Sequence, residues 1–209
     1  MILYPFLLLA LVASPSDPVA AASESYSHIV SYRVTLHSTG GGSAETIKYA
    51  FKRPGFVRME FVNPHKGAIL VYDPVKKKAR LRPFGFVKPL VMTLEPDNSL
   101  ITSSRGHRVD ASDTGAFLAT VKKLAEKGKS RVIGREKVDA REALLVEVEG
   151  KEGETVAGGV HRYLLWLDVR TNLPHAPRQV FYSPIKIGAI KLPVGVVEHF
   201  AVFDLQQVA

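Results

Sequence analysis

Thr46-Ile47-Lys48-Tyr49-Ala50-Phe51-Lys52-Arg53-Pro54-Gly55-Phe56-Val57-Arg58-Met59-Glu60-Phe61 is the run on which the fold turns. Before Pro54, Ile47, Tyr49 and Phe51 alternate with Thr46, Lys48 and Ala50. After Gly55, Val57, Met59 and Phe61 alternate with Phe56, Arg58 and Glu60. A period of two places one set of side chains on each face of a strand, and Pro-Gly marks the turn between strands. The run therefore reads as a half-buried antiparallel hairpin. Arg53 falls on the same face as Ile47, Tyr49 and Phe51, whereas Lys48 and Lys52 point the other way. A charged group on an apolar face needs a partner.

The pattern extends in both directions. Upstream, Tyr32, Val34 and Leu36 alternate with Arg33, Thr35 and His37, and Gly40-Gly41-Gly42 supplies a turn. Downstream, Asn63-Pro64 breaks the strand, and Ala68 to Tyr72 is apolar on both faces. Asp73-Pro74 turns the chain, and Lys77 to Arg82 returns with Ala79 and Leu81 inward. Five short strands with regular turns predict an antiparallel sheet curling into a sandwich or barrel. Pro83, Pro89 and Pro96 then interrupt the pattern, as in an edge or crossing segment. A helix follows, with Ser112 or Asp113 as N-cap, Phe117, Leu118, Val121, Leu124 and Ala125 on one face, and Gly128 as the stop. Strands return at Arg131 to Lys137, Leu144 to Glu149, His161 to Val169, Arg178 to Tyr182 and Val196 to Leu205, making one sheet interrupted by a helix.

Composition fits one globular domain. The 209 residues are 46% hydrophobic and 23% charged, with 28 Lys and Arg against 20 Asp and Glu, a net charge of +8. There is no cysteine. That excludes a disulfide scaffold, a thiolate zinc site, an iron–sulfur cluster, a cysteine nucleophile and an S-lipidated N-terminus. The apolar run Ile2 to Val12 is short for a membrane span and suits a signal-peptide core. Small residues at Val19 and Ala21 place the expected cleavage after Ala21. Residues 1–21 are then a signal peptide, and 22–209 a single exported, periplasmic domain.

The stretch from Lys52 to Phe61, then Pro64, then Ala68-Ile69-Leu70-Val71-Tyr72-Asp73-Pro74, resembles the periplasmic lipoprotein-carrier superfamily (LolA/LolB-like, outer-membrane lipoprotein-sorting proteins). Tyr163-Leu164-Leu165-Trp166-Leu167-Asp168, Leu173-Pro174 and Glu198 to Leu205 resemble its later strands. The resemblance implies a mainly β fold, an incomplete (half) antiparallel β-barrel with one clear helix packed as a lid on its concave side. It implies an apolar cavity for acyl chains, and a latching role for the arginine before proline, here Arg53, on a lid carbonyl or carboxylate. The expected cavity residues are Tyr32, Val34, Leu36, Ile47, Tyr49, Phe51, Val57, Met59, Phe61, Leu144 and Val146. The family's longer first helix has only about Ser23 to Ile29 to match it here.

Other chemistries find little support in the sequence. The seven histidines are scattered, with no His-Glu-x-x-His or paired ligand spacing, so no metal or other cofactor is expected. There is no Gly-x-Ser-x-Gly elbow, and the glycine triplet lies between strands rather than opening a helix. The chain reads as a non-catalytic carrier or chaperone for a lipid or lipoprotein acyl chain. The alternative is an envelope binding module or lipid/stress sensor that docks to a membrane-protein partner. Lys76-Lys77-Lys78, Arg80 and Arg82 follow a hairpin turn. They read as a defended edge, or as a contact for anionic lipid headgroups rather than nucleic acid.

Overall fold

The computed structural model describes residues 17–40, 43–83, 90–103, 106–175, 178–182, 186–187, 190–191 and 198–207. The expected leader core, Ile2 to Val12, lies outside them. In chain order the elements are helix α1 (Pro18–Ser27) and strands β1 (Ser31–Gly40), β2 (Ser43–Lys52), β3 (Phe56–Asn63), β4 (Ile69–Asp73), β5 (Lys78–Arg82) and β6 (Met92–Leu94). Helix α2 (Thr114–Glu126) follows, then β7 (Gly128–Val138), β8 (Arg141–Gly150), β9 (Val160–Asp168), β10 (Arg178–Tyr182), β11 (Lys186–Ile187), β12 (Ile190–Lys191) and β13 (Glu198–Gln207). The half-barrel expectation holds. One 11-stranded sheet runs β6-β5-β4-β3-β2-β1-β13-β10-β9-β8-β7, its pairs antiparallel, with β6 and β7 at its two edges.

This order decides where α2 must go. β6 and β7 lie at opposite edges, so the segment joining them has to traverse the sheet, and α2 lies on that segment. Its apolar positions Leu118, Val121 and Leu124 are almost wholly buried. Beneath it, Phe117 meets Tyr163 edge-on with ring centroids 5.6 Å apart. Asp113 caps the helix, its side chain accepting from the backbone N–H groups of Gly115 and Ala116. Gly128 then starts β7 where a side chain has no room, since a Cβ there would stand 1.9 Å from the Glu149 carbonyl oxygen.

Two helices, rather than the expected one, cover the concave side. α1 begins upstream of the segment assigned to it in the sequence. Asp17 caps it by accepting from the Val19 N–H at 3.0 Å, Pro18 occupies the first turn, and Val19, Ala22 and Tyr26 are buried. The expected cleavage site after Ala21 falls inside this helix, one residue before fully buried Ala22. α1 packs on α2 closely: a Cβ on Gly115 would come within 2.5 Å of the Tyr26 ring.

Register rows carry the core across the sheet. Tyr32, Phe51, Val57, Tyr72 and Ala79 form one row on the concave face, and Val34, Tyr49, Met59, Leu70 and Leu81 form the next. Leu36, Ile47 and Phe61 form a third. On the other half, Leu144, Val146 and Val148 of β8 lie opposite Leu167, Leu165 and Tyr163 of β9.

Replacing Gly128 with alanine should cost about 1–3 kcal/mol of stability, because backbone must move to admit the methyl group. A urea titration against the parent chain measures it, and an unchanged midpoint would contradict this packing.

Candidate functional site

Arg53 stands just past the end of β2, where its backbone N–H still pairs with the Val30 carbonyl at 2.8 Å. Its side chain reaches the end of α1. Nε donates to the Ile29 carbonyl at 2.7 Å and Nη2 to the Tyr26 carbonyl at 2.9 Å, while the guanidinium lies 5.4 Å from the centre of the Tyr26 ring. A helix leaves its last carbonyls without intrahelical donors, and a cation there also meets the negative end of the helix dipole. Arg53 lies at that negative end, and its planar guanidinium serves two acceptors at once: the Tyr26 carbonyl, which also accepts the Ile29 N–H at 3.0 Å, and the Ile29 carbonyl just past the helix. The residue as a whole remains exposed, so these are surface-grade hydrogen bonds rather than a buried ion pair.

The other lid helix is gripped at its opposite pole. Tyr26 donates its hydroxyl proton to Asp113 Oδ1 at 2.9 Å. The Thr114 N–H and hydroxyl both donate to the Tyr32 hydroxyl oxygen, at 3.1 and 3.2 Å. The Tyr49 hydroxyl lies 3.2 Å from Ser112 Oγ. Three phenols thus hold three successive residues at the start of α2. Their rings form one aromatic group: Tyr32 stacks on Phe51 and Tyr49 with centroids 5.2 and 5.9 Å apart, and Tyr26 meets Tyr32 edge-on at 6.2 Å.

Burial raises the pKa of the Tyr26 and Tyr49 hydroxyls well above the ordinary 10, and neighbouring Tyr32 and Asp113 add to the shift. Tyr32 is also raised by burial, against the opposing effect of the hydrogen bonds from Thr114. The fold therefore holds these phenols in their neutral form.

The eleven expected cavity residues divide into two groups. Tyr32, Val34, Ile47, Tyr49, Phe51, Val57 and Val146 are buried, whereas Leu36, Met59, Phe61 and Leu144 are half-buried against the same core. Exposure grows along β1 to β3 with distance from α1. The row nearest it is closed, and Leu36 and Phe61 in the third row are partly open. Tyr32 and Tyr49 do more than line a face, since their hydroxyls fasten α2. Sequence reasoning did not foresee the hydrogen bonds that join Tyr26, Tyr32 and Tyr49 to Ser112–Thr114. The N-cap pattern at Ser112 and Asp113 was a usable signal, but nothing local linked it to tyrosines 63 to 87 residues away. Among the described residues, no three His, Asp or Glu side chains come together to hold a metal.

Known structures share this architecture. The Mycobacterium tuberculosis lipoprotein LppX aligns over 94% of this chain and 98% of its own, at 10% identity and a TM-score of 0.52. LprF from Mycobacterium bovis aligns over 92% and 95%, at 9% identity and a TM-score of 0.52. A LolA superfamily protein from Nitrosomonas europaea aligns over 95% of both chains, at 11% identity and a TM-score of 0.40. No protein-family model matches the sequence, and no curated protein matches it.

Replacing Arg53 with leucine removes both carbonyl contacts while keeping an apolar stem. It should cost about 1–2 kcal/mol, after discounting for exposure. The loss should appear as faster amide exchange across residues 18–30 than across β8 and β9, and equal acceleration everywhere would argue against a lid-specific latch. A pH titration tests the phenols. A folded pKa above the unfolded value near 10 gives stability that is fully present below pH 10 and lost as pH rises beyond it. Lid protection should be flat from about pH 6 to 9 and decline above about 10. A decline centred near neutral pH would contradict the assignment.

The described architecture, an antiparallel sheet left open at β6 and β7 with two helices on its concave side, is an open half-barrel, the fold it shares with LppX and LprF.

Proposed function

We propose that this protein is an exported envelope carrier or chaperone that shelters a lipid, or the acyl chain of a lipoprotein, against the concave face beneath α1 and α2. The observation that carries the reading is how the lid is fastened. Two helices cover an apolar sheet, and polar groups hold them at their ends: Arg53 on the Tyr26 and Ile29 carbonyls at the close of α1, and Tyr26, Tyr32 and Tyr49 on Asp113, Thr114 and Ser112 where α2 begins. Such contacts are few, and water can replace each of them when it breaks. The apolar surface beneath would be costly to leave open.

In this reading the structure is the closed form. Seven of the expected lining residues are buried, so a guest chain enters as the helices lift. The half-buried rim at Leu36, Met59, Phe61 and Leu144 is where a tail first finds apolar contact. Each methylene taken out of water is worth about 0.8 kcal/mol, so ten of them contribute roughly 8 kcal/mol towards holding the lid off. Ligand binding then selects the open population. No reacting group is required, and the role is non-catalytic.

The exported form should retain Asp17 and Pro18. Removing residues through Ala21 would delete the cap and fully buried Val19. We therefore place the processing site upstream of Asp17.

Native mass spectrometry of the protein from the envelope fraction tests both statements. We expect a bound lipid, or one acquired from vesicles, and a polypeptide mass that includes Asp17. Arg53→Leu should change the rate of uptake more than the amount bound at equilibrium. A chain that neither carries nor acquires lipid would refute the carrier role, and a mass beginning at Ala22 would refute the boundary.

A further inference from the structure

The two halves of the sheet treat charge differently on the face away from the helices. On β7 to β9 carboxylates lie within reach of three of the cations: Lys129 pairs with Glu149 at 3.1 Å, and Arg131 and Arg162 with Glu147 at 2.5 and 3.6 Å. On β3 to β5 Lys78 has Glu95, but the three arginines are poorly answered. Arg58 has Glu60 at 3.8 Å, with both side chains about half exposed, a pair worth little in water. Among the described residues, Arg80 and Arg82 have no hydrogen-bond or ion-pair partner. The register brings these residues together: Arg58, Val71 and Arg80 form one row, and Glu60, Ile69 and Arg82 the next.

Between these rows the face carries a groove of about 200 Å3, lined by Arg58, Ile69, Val71, Arg80, Arg82 and Val91. Its floor is aliphatic and its rim is three guanidinium groups. At the β4–β5 turn, Lys76 and Lys77 project into solvent, and Lys76 meets Asp73 only at 3.9 Å.

We propose that this face docks on a membrane surface through anionic phospholipid headgroups. An arginine fork takes two phosphate oxygens at once, which suits a phosphodiester better than a diffuse counter-ion. The aliphatic floor accommodates the glycerol and first methylenes that accompany the phosphate, where a free anion would leave it wetted. Lys76 and Lys77 add longer-range attraction to a negatively charged leaflet. The lining has no aromatic side chain on which a base could stack, so single-stranded nucleic acid fits poorly. The groove lies on the opposite side of the sheet from α1 and α2, so docking leaves the lid free to move. The inference stands independently of whether the concave side takes a guest.

Vesicle co-sedimentation with the full chain tests it, using phosphatidylcholine vesicles and vesicles with about one-third phosphatidylglycerol, whose surface is anionic. The protein should pellet with the anionic vesicles only, and should release at high salt. Arg80→Gln/Arg82→Gln should bind about thirtyfold more weakly, as expected for two basic residues at the surface. Lys129→Gln/Arg131→Gln makes the same change in net charge on the paired half of the same face and should stay within about twofold of the parent. Equal loss in both double variants would show attraction by net charge alone and overturn the site. So would equal pelleting with both vesicle types, or none with either. Displacement by millimolar glycerol phosphate would point to a soluble phosphate ligand and overturn membrane docking. Amide exchange of β3 to β5 in both variants confirms that the sheet is intact. Lipid uptake, read by mass, is scored separately.

Discussion

The guanidinium of Arg53 on the carbonyls of Tyr26 and Ile29 is the contact on which the lid arrangement rests. A sheet with an apolar concave face must be covered. The cover here is short: α1 has 10 residues and α2 has 13. Helices of that length are marginal alone and borrow their stability from what they pack on. Arg53 pins the C-terminal end of α1, and the Tyr26 of that same helix donates to the cap of α2. The two helices therefore form one coupled cover, with Gly115 allowing Tyr26 to approach. Grease supplies most of the adhesion. The polar contacts fix where the helices sit, and the Thr114 N–H on the Tyr32 hydroxyl also satisfies a donor that a helix start leaves unpaired.

The sheet separates two tasks between its faces. Its concave side holds the aromatic and aliphatic rows that the helices cover. Its convex side carries charge, neutralised on β7 to β9 and unanswered around Arg80 and Arg82. Glu147 shows how the neutralised half works: it is only 5% exposed, yet Arg131 and Arg162 flank it. The lone Glu60 near Arg58 cannot do the same for three arginines.

Much of this fold was legible because strands of a half-covered sheet write their two faces directly into the sequence. The rows led by Tyr32, Val34 and Leu36 follow from period-two alternation alone. That Arg53 would find an acceptor was legible too, since a cation on an apolar face demands one. α1 was not. Its buried positions, Val19, Ala22 and Tyr26, are few and mostly small, and the same Ala-rich residues satisfy the pattern of a signal cleavage site. Asp17-Pro18, a capping residue followed by a first-turn proline, was the signal that could have separated the two. The tyrosine contacts were hidden for another reason. Alternation tells which way a ring points, but not which hydroxyl partner an element much later in the chain will bring. Leu145 and Glu147 are buried on the convex face, where Trp166 and two arginines lie alongside or opposite, and alternation alone does not show this.

The central claim is that the two helices can leave the sheet together while the sheet stays folded. Native-state amide exchange under mild denaturant measures this directly, by comparing opening free energies for residues 18–27, 114–126 and the strands β8 and β9. The account predicts that α1 and α2 share one opening free energy below that of the strands, and that an added long-chain lipid lowers helix protection while leaving strand protection intact. Helices that exchange only with global unfolding, with or without lipid, would contradict it.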